Sequence, residues 1–186
     1  FGLRRTDGEH DIAVGVVDRQ NTVGADDADF QAIHRGGPGD WQSPGDAQVI
    51  HAAVAEADET GGGVDTLDFS STANSNVTVD LSLATRQTIN ANLSLKLASA
   101  TSVENVYGTA QNDTFTANSL DNLLVGGAGN DIYRFNAGVA AGTDTIDETG
   151  GGIDTLDFSL TTTAAVTVDL TKSGQQSVNG FLTLII

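Results

Sequence analysis

The chain has 186 residues, with 25 acidic side chains against 8 basic ones, a net charge of −17 and an isoelectric point of about 4.1. Such a surface repels nucleic acid and anionic membranes and attracts cations, so neither nucleic-acid binding nor membrane insertion is expected. Cysteine is absent, which excludes disulfides and thiolate metal sites, and 22 glycines with 5% aromatics supply turns and short strands rather than helices.

The first elements are the least regular. "DGEHDIAVG" (Asp7–Gly15) reads as a turn followed by a strand; it resembles the calcium loop of FG-GAP propeller blades, but the upstream Asp-x-Asn of that pattern is missing. "GGPGDW" (Gly36–Trp41) reads as a surface loop, because Pro38 and the early Asp40 interrupt its glycine spacing. His10, His34 and His51 stand at no spacing that suits zinc. "AQVIHAAVAEA" (Ala47–Ala57) is a run of good helix formers and predicts a short helix capping the remainder of the chain. Residues 1–57 therefore read as an irregular segment, either the end of a preceding domain or a cap, with a boundary near Ala55–Asp58.

From Asp58 the chain repeats itself. "DETGGGVDTLDFS" (Asp58–Ser70) returns as "DETGGGIDTLDFS" (Asp147–Ser159), an offset of 89 residues. The same offset joins "VTVDL" at Val77–Leu81 to "VTVDL" at Val166–Leu170, and "INANLSLKL" at Ile89–Leu97 to "VNGFLTLII" at Val178–Ile186. Residues 58–186 thus read as one long unit and part of a second, cut from a longer array. Alternation in "VTVDLSL" and "LSLKL" predicts half-buried strands, with Asp80 and Asp169 turned to solvent.

A shorter period lies inside the long one. Between Val106 and Tyr133 a polar residue recurs every nine positions as Asp113, Asn122 and Asp131, followed two residues later by Phe115, Leu124 and Tyr133. "GGAGNDIY" fills every position of G-G-x-G-x-D-x-U-x, where U is a large apolar residue, with Gly126, Gly127, Gly129, Asp131 and Tyr133. The two preceding repeats are degenerate: Gly108 is kept, but Thr109 and Gln111 stand for glycines and Asn122 for the aspartate. A looser form, G-x-D-x-apolar, returns with Asp65, Asp144 and Asp154.

These residues resemble the calcium-binding nonapeptide repeats of RTX proteins. The resemblance implies an all-β fold, a right-handed parallel β-roll or β-solenoid in which two nonapeptides complete one coil. It implies Ca²⁺ as the cofactor, held by the loops of Gly108, Asp113, Asn122, Gly126, Gly127, Gly129 and Asp131, with Asp144, Asp154 and Asp65 as further ligands. Hard oxygen donors of this kind suit Ca²⁺. After eighteen residues the chain returns to the same side, so Asp113 and Asp131 should stack one coil apart. For the looser loops, an aspartate capping its own turn is the alternative.

Three function classes remain. The first is a non-enzymatic, calcium-stabilised structural module of a large secreted or cell-surface protein, of adhesin or surface-layer type, exported unfolded and folding outside. The second is a module appended to an extracellular hydrolase or polysaccharide-modifying enzyme. No zinc-binding helix motif, no nucleophile elbow and no histidine after His51 point to catalysis within the chain itself. The third is a self-assembling filament or surface-layer subunit, joined through open solenoid ends such as "FLTLII" (Phe181–Ile186).

Overall fold

Three-residue strands separated by the loops 108–113, 117–122 and 126–131 turn the nine-residue period into backbone geometry. The computed structural model describes residues 5–6, 9–13, 53–57, 64–72 and 74–186. Among them the elements are all strands. The first group is β1 (Arg5–Thr6), β2 (Glu9–Ala13), β3 (Ala53–Ala57), β4 (Asp65–Asp68) and β5 (Thr78–Asp80). There follow β6 (Gln87–Asn90), β7 (Leu93–Leu97), β8 (Asn105–Tyr107), β9 (Thr114–Thr116) and β10 (Leu123–Val125). The last are β11 (Ile132–Arg134), β12 (Gly142–Asp147), β13 (Thr155–Asp157), β14 (Gln175–Ser177) and β15 (Leu182–Ile185).

Successive strands alternate between two sheets. One runs β1-β2-β4-β8-β10-β12-β15-β14 and the other β13-β11-β9-β5, while β3-β7-β6 forms a third. Pairing is parallel throughout except at β1/β2, β6/β7 and β14/β15. The fold is a parallel β-roll, and each coil gives one strand to each of the two longer sheets.

One inward apolar side chain from each of the strands β4, β5 and β8–β13 builds the centre of the core, and β7 and β15 add Leu93, Leu95, Leu97, Leu182 and Leu184. In the first sheet Leu67, Val106, Leu124 and Ile146 are register neighbours, and in the second Val79, Phe115, Tyr133 and Leu156. Phe115 and Tyr133 meet at a ring-centroid distance of 5.9 Å. A three-residue strand buries too little to stand alone, so each coil depends on its neighbours for stability.

The 89-residue duplication is also structural. Ala53 pairs with Leu93 as Gly142 pairs with Leu182, and the hairpin β6/β7 corresponds to β14/β15. Asp80 and Asp169 cap their own turns, accepting the N–H of Ser82 at 2.9 Å and of Thr171 at 3.0 Å. A glutamine clamps each from the opposite strand: Gln87 accepts from the N–H of Asp80, and Gln176 from that of Asp169, both at 2.8 Å.

Two expectations need correction. The helix expected over Ala47–Ala57 is the strand β3 from Ala53 onward, parallel to β7 over five residue pairs; ladder pairing outweighs the helix propensity of its alanines. The helix's first half lies outside the described residues, as do the "GGPGDW" loop, His34 and His51; of Asp7–Gly15, residues 9–13 form β2. "FLTLII" is not an open edge, because β15 lies between β12 and β14.

Candidate metal centre

The register brings the acidic positions into two columns, one on each side of the roll. On one side Asp113, Asp131 and Asp154 lie one coil apart, each directly before a paired strand residue. They are tied by a hydrogen-bond ladder. The N–H of Asp131 donates to Asp154 Oδ1 at 2.9 Å, the N–H of Asp113 to Asp131 Oδ1 at 2.7 Å, and the N–H of Val77 to Asp113 Oδ1 at 2.7 Å. Each carboxylate thus reaches back to the coil before it.

The degenerate and the intact loop then differ in one respect. In the degenerate loop Asp113 is fully engaged: Oδ2 accepts the N–H of Thr109 at 2.6 Å, and Oδ1 also accepts the Thr109 hydroxyl at 3.1 Å. In the intact loop Gly127 holds φ at +93°, and Asp131 Oδ2 is buried with no hydrogen-bond partner. An added Cβ at Gly127 would overlap the carbonyl oxygen of Thr109, so the two loops stack closely enough to demand glycine. The residue type that replaces the second glycine closes its own aspartate, whereas the glycine leaves its aspartate open.

Around the open oxygen the structure gathers more of the same chemistry. Asp131, Glu148 and Asp154 place carboxylate oxygens within 4.8 Å of one another. Both Glu148 oxygens and the Tyr133 hydroxyl are buried without a hydrogen-bond partner, and Glu148 lies close enough to that hydroxyl to act on its ionisation. Burial lifts Asp131 to about 6 and Glu148 to about 7, and the neighbouring carboxylates push in the same direction. Burial also drives the Tyr133 phenol upward, with Glu148 adding to the effect, so the hydroxyl stays protonated. Orphaned buried oxygens of this kind are costly unless a cation or its bound water meets them, and an all-oxygen donor set fits Ca²⁺.

The opposite column is arranged differently. Asn122 Oδ1 accepts the N–H of Asn118 at 3.0 Å, and its Nδ2 donates to the Glu104 carbonyl and to Asn118 Oδ1, both at 3.0 Å. A neutral amide, donor and acceptor at once, thereby closes this loop with protein groups alone. Asp144 Oδ1 accepts the N–H of Asn122 at 2.9 Å, while Oδ2 is buried and unpartnered; burial lifts the group to about 7. Asp65 is buried farther along this column, its N–H donating to Glu104 Oε2 at 2.8 Å.

The sequence-derived ligand set is therefore divided by the fold. Asp131 and Asp154 come together, framed by the loop of Gly126, Gly127 and Gly129. Asp113 and Gly108 lie one coil away in a loop closed by Thr109, and Asn122, Asp144 and Asp65 lie across the roll. Sequence reasoning missed Glu148 and the Tyr133 hydroxyl. The signal for Glu148 was present, since "DETGGG" recurs intact in both long repeats, at Glu59 and Glu148.

The family described as peptidase M10 serralysin C terminal matches this chain over residues 47–182. No curated protein matches it.

Proposed function

The chain belongs to the peptidase M10 serralysin C-terminal family, and from that membership we propose that it is a non-enzymatic module locked into its fold by calcium. The family is the RTX-type calcium-binding repeat region of serralysin-type proteins, the part separate from catalysis. In this reading the module spaces or displays other domains of a large secreted or cell-surface protein. It reaches the outside as a calcium-poor, highly acidic chain and folds where Ca²⁺ is abundant. Asp131 and Asp154 are the principal ligands, helped by the glycine loop 126–130, with Asp144 as a candidate on the opposite side. The observation that carries the reading is the buried, unpartnered Asp131 Oδ2 inside an intact G-G-x-G-x-D loop.

The experiment is far-UV circular dichroism of the chain during titration with Ca²⁺ and, separately, Mg²⁺. Ca²⁺ should raise β-structure cooperatively, and Mg²⁺ should do so poorly because it demands tight octahedral geometry and keeps its waters. Identical spectra in chelator and in millimolar Ca²⁺ would sink the reading. Membership of a family named for a peptidase favours a second reading, in which this module serves an extracellular enzyme borne by the same polypeptide.

A further inference from the structure

Glu148 stands where a glycine stands in each of the two preceding coils. The pairing of Val125 with Asp147 and of Tyr107 with Val125 puts Gly108, Gly126 and residue 148 at the same position of successive coils. At Gly126 a Cβ would overlap Asp131 Oδ2 and the Tyr133 hydroxyl, so that coil keeps the place empty of side chain. One coil on, the place carries a carboxylate, and both of its oxygens are buried beside those same two groups.

We propose that Glu148, Asp131 and Asp154, with the Tyr133 hydroxyl as a neutral fourth oxygen, form a side-chain cage for a hard divalent cation, and that Glu148 is a ligand outside the nonapeptide motif. The inference rests on the calcium reading above and deepens it by naming a ligand that the repeat pattern does not contain.

Two independent observations meet here. The first is the convergence of three carboxylates within 4.8 Å. The second is that Asp131 and Tyr133, each 0% exposed, aim unpartnered oxygens into that space. Arg134 pairs with Asp157 at 3.1 Å and Lys172 lies beside Asp169 at 3.8 Å, so both of these cations are engaged elsewhere. Three carboxylates at such separation repel one another, and a divalent ion turns that repulsion into attraction. Oxygen donors without nitrogen or sulfur favour Ca²⁺ over zinc or copper. With three charges rather than the one that a lone motif aspartate supplies, this cage should fill first as Ca²⁺ rises.

The test uses Tb³⁺, a Ca²⁺ surrogate whose emission is excited through a nearby tyrosine, on the full chain, with Ca²⁺ as competitor. In the wild type, tyrosine excitation should give bound-Tb³⁺ emission that Ca²⁺ displaces. Glu148→Gln should raise the Ca²⁺ concentration for half-response by about tenfold or more. Tyr133→Phe keeps the core ring and should lose most of the sensitised emission while still folding with Ca²⁺. Asp80→Asn, in a turn far from the cage, should behave as wild type. If Glu148→Gln and wild type give superimposable Ca²⁺ curves, Glu148 is no ligand, although the calcium-stabilised reading survives. Should Glu148→Gln fail to fold at any Ca²⁺ concentration, Tyr133→Phe decides, and undiminished emission from it overturns the cage. A wild type indifferent to both ions removes the cage and the calcium reading together.

Discussion

Asp131 accepts the N–H of Asp113 through Oδ1 at 2.7 Å and leaves Oδ2 with no donor. One oxygen is structural and the other is available, so an isosteric change separates the two roles. Asp131→Asn can keep the bond to Asp113 but loses the charge. The variant should need more Ca²⁺ to fold yet reach a similar melting temperature at saturation. Thermal melts across a calcium series check this, and a calcium dependence superimposable on wild type would make Asp131 a turn cap only.

Thr109 should give the opposite pattern. Its hydroxyl donates to Asp113 and accepts the N–H of Gln111 at 2.9 Å, all inside a closed loop. Thr109→Val leaves those partners unsatisfied and should cost roughly 1–3 kcal/mol. The loss should be the same at every Ca²⁺ concentration at which the chain folds, because no ion is needed there. Chemical denaturation across a calcium series is the measurement, and a loss that changes with Ca²⁺ would contradict the closed-loop account.

Shape can be separated from ligation by setting Tyr133→Phe, which removes only the hydroxyl, beside Tyr133→Ala, which also removes the ring, and by a change at Gly127, which has no side-chain ligand. Tyr133→Ala empties a fully buried site against Phe115 and should cost roughly 3–5 kcal/mol even at saturating Ca²⁺. Gly127→Val meets both the left-handed backbone at φ +93° and the Thr109 carbonyl oxygen, which cannot move independently of its coil. It should therefore fail to fold at any Ca²⁺ concentration, as monitored by circular dichroism. A Gly127→Val chain that folds normally would show that the two loops do not stack tightly against each other.

Protons should substitute for calcium. In the metal-free fold Asp131 titrates at about 6 and Asp144 and Glu148 at about 7, against ordinary values of 3.8 for Asp and 4.5 for Glu. Between pH 4 and 7 the folded chain holds protons that the unfolded chain has released. Stability is therefore greatest on the acid side of that window and declines as pH rises through it. Calcium-free protein should melt higher at pH 5 than at pH 8, and saturating Ca²⁺ should narrow or reverse that gap. A calcium-free melting temperature that climbs from pH 5 to pH 8 would refute the buried-carboxylate argument.

Much of this was legible from spacing. The nine-residue period placed Phe115, Leu124 and Tyr133 inward, and the eighteen-residue return placed Asp113 over Asp131, because both result from chain periodicity. What spacing could not show was satisfaction. Whether an aspartate binds an ion or its own loop depends on where the next N–H points, and Thr109 against Gly127 decides that in three dimensions. Glu148 escaped because it stands outside the motif, at a register position reached only after a longer turn. Ala53–Ala57 reads as helix locally and pairs as strand globally, since β7 offers a ladder that sequence windows cannot see.

The backward reach of the carboxylates gives the stack a direction under load. Peeling away the coil of Val77 costs Asp113 one hydrogen bond, while Thr109 of its own loop still holds the carboxylate. Peeling from the opposite end strips Asp154 from the N–H of Asp131 and breaks apart the cluster that joins adjacent coils through Glu148. The two ends are thus mechanically unequal. A tether pulling on the late coils works against the carboxylate cluster proposed to hold an ion, whereas one pulling on the early coils meets an ordinary polar seam.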